Sequence, residues 1–225
     1  LLTKTHPGNV SPTNIYIDGN KFGTVEQIAL SLYGSFHVVT NNTWHSVFDS
    51  VAADGDRDAI RMHASNSRIV NNVVTNWTSI GVGAGHPDII QTFATSGQQS
   101  TNNIIEGNLF IDCTGTQIGN LEDQDGLGKV GWWTFRSNYW SNVEYVMGIF
   151  IHDVTFTNNT FYLSGRNSGH PIYWSNLAGH GTNAHNGAAI NNIFSQCGSD
   201  PATDIRGWYV FDPGVTNCVG NYNLV

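Results

Sequence analysis

Two aspartates stand in equivalent places ahead of two apolar runs: Asp58 precedes Ala59-Ile60 as Asp88 precedes Ile89-Ile90. If the two runs are neighbouring strands, their carboxylates lie about 5 Å apart, the spacing between strands. Carboxyl groups that close do not readily ionise together, so one keeps its proton and the other serves as a base. Around them the chain supplies Arg61 and His63 in one run, Gln91 and Phe93 in the next, Glu122 and Asp123 after Leu121, and His86 fixed beside Pro87. Asp58, Asp88, Glu122, His63 and His86 are therefore candidate catalytic groups, with Arg61, Gln91 and Phe93 as candidate substrate contacts. The plainer reading is that both aspartates cap turns by bonding main-chain amides. Clustered histidine and arginine exceed what a turn requires.

For these groups to meet, the chain must bring distant segments into register, and a repeat does so. An Asn recurs at Asn20, Asn42, Asn72, Asn108, Asn138, Asn159, Asn192 and Asn221, at intervals of 21 to 36 residues. Three residues before it stand Ile17, Val39, Ile69, Ile105, Phe135, Phe156, Ala189 and Cys218; two after it stand Phe22, Trp44, Val74, Phe110, Trp140, Phe161 and Phe194. Apolar and polar residues alternate on both flanks, which is the two-residue period of a strand. A variable interval means one stacked unit whose insertions fall in one loop. Asn suits the bend because it tolerates left-handed φ and its amide bonds main-chain groups. Stacked coil on coil, these amides form a ladder.

A third strand is predicted ahead of each Asn, with Ile28, Ile60, Ile90, Ile118, Ile149, Ile172 and Tyr209 pointing inward. Its alternate residues point out, and this outward face is where function is expected. It extends through Phe150, His152, Tyr173 and Trp208 as a stripe of rings. An insertion at 122–132 adds Lys129, Trp132 and Trp133; Trp133 lies two before inward Phe135, so Trp132 is the exposed ring that can stack on a sugar.

Three strands per coil, an Asn at the second turn and a stacked aliphatic interior resemble the right-handed parallel β-helix superfamily of pectate lyases, polygalacturonases, chondroitinase-like lyases and phage tailspikes. The resemblance covers residues from about 14 to 225, and it implies an all-β solenoid of about eight coils in a single domain, 1–225. Residues 1–13 are an irregular lead-in, and the insertions fall near 49–58, 78–88, 122–132 and 176–187. The resemblance specifies fold more than activity. Where the chondroitinase-like lyases carry a catalytic Lys and Arg, this chain has Ala94 or Thr95 and Asn120 or Leu121. A lyase here would have to use other groups, such as Arg61 and His63.

Nine basic residues against 17 acidic ones give a net charge of −8. That balance speaks against nucleic-acid or anionic-membrane partners, and no membrane span or signal peptide is visible. Few charges, seven Trp and abundant Asn, Thr, Ser and Gly suit a secreted or virion-surface protein in contact with polysaccharide. An oligomer is one way to cover the solenoid ends. Asp54, Asp56 and Asp58 have the spacing that opens a calcium loop, but Ala59 and Ser65 occupy its Gly and Glu places, so a solvated turn is the simpler reading. His180 and His185 lack further ligands, and no metal or cofactor is expected, calcium remaining the alternative. Cys113 and Cys197 share a column as core fillers, and Cys197 with Cys218 is the one pairing to consider.

These features favour an enzyme that cleaves glycosidic bonds with carboxylate and histidine groups, as hydrolase or lyase, along one outward face. The alternative is a non-catalytic glycan-binding module such as a tailspike or adhesin shaft.

Overall fold

The computed structural model describes residues 11–23, 28–49, 58–80, 87–94, 98–114, 117–165, 170–176, 184–197 and 209–224. These form a right-handed parallel β-helix of three sheets with no helix among them. Sheet I holds eight strands: Tyr16–Asp18, Val38–Thr40, Arg68–Val70, Ser100–Glu106, Val130–Arg136, His152–Thr157, Ala188–Ile190 and Val219–Asn221. Sheet II has seven: Lys21–Phe22, Thr43–Asp49, Val73–Ile80, Leu109–Ile111, Tyr139–Ser141, Thr160–Tyr162 and Ile193–Ser195. Sheet III has seven: Leu30–Ser35, Ile60–Ser65, Asp88–Thr92, Gln117–Leu121, Tyr145–Ile149, Ile172–Trp174 and Tyr209–Phe211.

The Asn ladder stands between sheets I and II. Each Nδ2 donates to Oδ1 of the Asn one coil on, at 3.0 Å from Asn20 through Asn159 and 3.1 Å from Asn192 to Asn223. The same Oδ1 accepts the preceding Asn's main-chain N–H at 2.8–3.0 Å. From Asn42 onward each Nδ2 also reaches back to the carbonyl of the apolar residue in the coil before: Ile17, Val39, Ile69, Ile105, Phe135, Phe156 and Ala189. The ladder satisfies polar groups that burial would otherwise strand.

Two details differ from the sequence reading. The last rung is Asn223 instead of Asn221, because Val219–Asn221 pairs with Ala188–Ile190 and carries the ladder two residues further. The left-handed residue is the one before the ladder Asn: Gly19, Asn41, Asn71, Gly107, Ser137, Asn158, Asn191 and Tyr222 all have φ between 51° and 67°. The ladder residue is therefore chosen for its amide, and its neighbour for the bend.

The predicted inward columns of sheets I and II form the core, except that Gly220 and not Cys218 stands in register with Ala189, and Cys218 is only half-buried. Rings stack coil on coil, with Phe110–Trp140 centroids 3.8 Å apart, Phe135–Phe156 4.6 Å and Phe161–Phe194 5.1 Å. Cys113 and Cys197 are both buried, all three cysteines are free, and burial pushes their thiols up to about 12 and about 11. They are packing residues.

Sheet III is aligned differently from the prediction. Ile60 and Ile90 share a column with Leu30, Gly119, Met147, Ile172 and Tyr209. Leu30 stands where Ile28 was expected, Met147 replaces Ile149, and Gly119 replaces Ile118. The first two are slips of two residues, which a period-two pattern cannot detect because it fixes only parity; the shift at Gly119 is of a single residue.

Replacing Asn108 by Ala removes the acceptor of the Asn72 N–H and the donor to the Ile69 carbonyl, both buried. At about 1–3 kcal/mol per stranded group, N108A should lose about 3 kcal/mol in urea unfolding. Exposed Lys21→Ala should stay within about 0.5 kcal/mol.

Candidate active site

Strands Leu30–Ser35 and Ile60–Ser65 pair over six residues, so Ser31 lies beside Arg61, Tyr33 beside His63 and Ser35 beside Ser65 on the outward face of sheet III. A cleft of about 460 Å³ opens at the end of this ribbon. Tyr33, Ser35, His63, Ser65 and Asn66 form one side of it, Gln98 and Gln99 another, and Ser11 closes its N-terminal end. Gly34 makes that closure feasible: with φ at +97°, a Cβ there would fall 1.9 Å from the Pro12 carbonyl oxygen, which instead accepts the Ser35 N–H at 3.1 Å. Any side chain at residue 34 would push the lead-in off the strand.

His63 is the pivot of the cleft wall. Its ring stacks on Tyr33 at 4.8 Å and meets the edge of Phe93 at 4.7 Å, and it is 4% exposed. Burial chiefly, then the Arg61 charge, lowers its pKa to about 4 against an opposing hydrogen bond to the Phe93 main chain. The imidazole is thus uncharged at neutral pH, and its Nδ1 makes no hydrogen bond. Arg61 is held in turn. Its Nε and Nη2 lie 2.6 and 2.5 Å from Asp58 Oδ2, and its guanidinium sits 5.2 Å from the Phe93 ring centre. Asp58, Arg61, Phe93 and His63 therefore form one continuous chain of contacts ending at the cleft.

Asp58 and Asp88 occupy equivalent places in consecutive coils, as the sequence implies: Ala29 N–H bonds the Asp58 carbonyl and Ala59 N–H the Asp88 carbonyl. Both side chains are wholly buried. Asp58 acts as the counterion of Arg61, and neither carboxylate lines the cleft. Gln91 lies next to Arg61 in register, buried, with Asn120 beyond it. Glu122 is buried one coil above Phe93 and accepts a hydrogen bond from Gln124; Phe150, also buried, follows it, its N–H bonding the Leu121 carbonyl.

Other predicted residues lie elsewhere. Tyr173 is four strands along sheet III from His63, and its hydroxyl donates to Asp212, which also accepts Ser175 Oγ at 2.6 Å. His152 is not on sheet III: it opens a sheet I strand, in register with Gly131. The predicted strand Gly148–His152 was placed too late, so its last residue falls around the corner. There His152 gathers with Trp132, which is 52% exposed while Trp133 is buried, as expected. Lys129 precedes the Val130–Arg136 strand that carries Trp132 and is half-buried. His86, Trp208, His180, Asp54 and Asp56 lie outside the described residues.

Tyr33, Ser35, Asn66, Gln98 and Gln99 were missed. Aligning Leu30-x-Leu32 with Ile60-x-Met62, in place of Ile28, would have put Tyr33 beside His63.

No family model and no curated protein sequence matches the chain. Among solved structures it is similar to an alginate lyase from Paenibacillus sp. str. FPU-7, with a TM-score of 0.59 and 11% identity, over 93% of this chain and 76% of that one. At that identity the likeness is one of fold.

The unfolded chain protonates His63 near 6.5, the folded protein only near 4. Its contribution to stability is therefore complete above about pH 6.5 and is lost as the pH falls from there through about 4. Urea unfolding at pH 7 and pH 4 should show the wild type losing about 2–3 kcal/mol more than His63→Gln, which cannot titrate.

Proposed function

We propose that the protein binds an acidic polysaccharide in the cleft at the edge of sheet III and cleaves it there by β-elimination. The observation that carries this reading is the lining: a neutral imidazole stacked on a phenol, ringed by hydroxyl and amide side chains. Hydrolysis needs two carboxylates flanking the scissile bond, and among the described residues no carboxylate lines this cleft. The fold shared with an alginate lyase agrees with a uronate polymer as substrate.

In β-elimination a base removes the proton alpha to the uronate carboxylate. The electron pair left on carbon forms the ring double bond, the glycosidic C–O bond breaks, and the departing oxygen takes a proton from an acid. His63 is the base. Its low pKa keeps it unprotonated at neutral pH, and a bound carboxylate beside it raises its basicity toward what the reaction needs. The Tyr33 hydroxyl protonates the leaving oxygen. Asn66, Gln98 and Gln99 supply amide N–H groups to the carboxylate, whose negative charge must be moderated before the alpha proton becomes acidic. Arg61, tied to Asp58 and Phe93, fixes His63 from behind.

Incubation with alginate, polygalacturonate and a neutral glucan tests this. Ultraviolet absorbance from an unsaturated uronide should appear with a uronate polymer, and Tyr33→Phe and His63→Gln should each slow it on the order of 100-fold or more. New reducing ends without that absorbance, abolished by Asp88→Asn or Glu122→Gln, would assign hydrolysis to the buried carboxylates instead. Retention of polymer without products would mean a binding module.

A further inference from the structure

We infer that His152, Asp153 and His185 form a binding site for one divalent transition-metal ion, zinc being the best fit, at the corner between sheets III and I. Each offers a ligand atom, and the three atoms lie within 4.8 Å of one another. An ion bonded at about 2.0–2.2 Å holds its ligands roughly 3–3.5 Å apart, so side-chain rotation closes the remainder.

The backbone is shaped to bring them together. Consecutive residues of a strand normally point to opposite faces, yet His152 Nδ1 and Asp153 Oδ2 are 2.8 Å apart. Asp153 has φ at +55°, and this left-handed step turns its carboxylate onto the side of the His152 ring. His185 is the equivalent residue one coil on: its carbonyl accepts the Asp153 N–H at 2.9 Å, and the two imidazoles stack at 5.4 Å.

The surroundings are those of a built site. Gly131, the equivalent of His152 in the coil before, cannot carry a side chain, since a Cβ would lie 2.3–2.7 Å from His152 ring atoms. Trp132 packs edge-on against the His152 ring at 4.3 Å. It does so at φ +55°, where most coils place a short polar residue such as Asn66, Asn102 or Asn186. A large ring there costs about 1–3 kcal/mol of backbone strain, and strain of that kind concentrates at functional sites.

Second contacts orient the ligands as metal sites require. Asn186 Nδ2 donates to Asp153 Oδ1 at 3.1 Å, and the Gly128 carbonyl lies 3.4 Å from His152 Nε2. The groove beside them, about 390 Å³ with Leu127 and Trp132 on its walls, leaves a fourth position open to water or to a carboxylate. Two imidazoles and one carboxylate select zinc or a neighbouring transition metal over calcium, which takes oxygen ligands.

Chelator-treated, dialysed protein titrated with Zn²⁺ in a calorimeter should take up one equivalent, and Co²⁺ at the same site should give the visible absorption of a four-coordinate complex. Asp153→Asn, which keeps a residue at ease in the left-handed region, and His185→Gln should each weaken Zn²⁺ binding on the order of 100-fold or more, since partners that only orient ligands are already worth about 10–100-fold. Zn²⁺ should raise the melting temperature of the wild type and leave that of both variants unmoved. Circular dichroism confirms that the variants are folded. No uptake by the wild type, or uptake equal in wild type and both folded variants, overturns the site.

Discussion

A column of side-chain amides sets the geometry of this solenoid. Seven Asn-to-Asn hydrogen bonds join eight coils at an almost constant 3.0–3.1 Å. Because each amide also bonds an N–H and a carbonyl of the main chain in the coil before it, it fixes both the rise and the rotation of each coil against the last. A rung cannot slip without stranding buried donors and acceptors, at about 1–3 kcal/mol apiece. Everything functional is consequently a matter of what each coil displays at a position already fixed.

The corner between sheets III and I shows how freely that display varies. Residues in the left-handed step there include Asn14, Phe36, Asn66, Asn102, Trp132, Asp153, Asn186 and Asn217. The residue that follows uses whatever hydrogen-bonding group it has: the Ile15 N–H donates to His37 Nδ1, the His37 N–H to Ser67 Oγ and the Ser67 N–H to Asn103 Oδ1. This corner tolerates substitution because its polar ladder is short and mixed, and both the cleft and the His152 cluster sit along it. The Asn ladder between sheets I and II carries no such variation and no candidate chemistry.

Much of this was legible in the chain. The ladder Asn and its flanking apolar columns carry fixed offsets, so sheets I and II could be aligned rung by rung as far as Asn192. Sheet III has no such marker, and period two cannot separate a register from one shifted by two residues. Its alignment therefore missed Tyr33 and carried His152 onto the wrong sheet. The pairing of Asp58 with Asp88 was visible because both precede the same apolar pair. Their complete burial was not, since parity says which way a side chain points and nothing about what covers it. Trp132 and Trp133 could be told apart because Phe135 fixed the parity of that strand.

A net charge of −8 opposes the acidic polymer proposed as ligand, but what counts at the cleft is the local charge. Charges near the cleft are neutralised in pairs or buried: Arg61 is matched by Asp58, and the wholly buried Asp88 contributes no exposed charge. On the outer side of sheet I, Glu106 is bracketed by Arg68 and Arg136 at 3.0 and 2.8 Å. Among the described residues the cleft lining is a set of neutral dipoles, which would meet the carboxylate of the proposed substrate without the repulsion that a free carboxylate brings. The same pairing bears on His63. Removing the Asp58 charge would leave the Arg61 cation uncompensated beside the imidazole and drive its pKa lower still, making it a poorer base. Asp58 thus sets the field around His63 through Arg61, a role that its full burial permits.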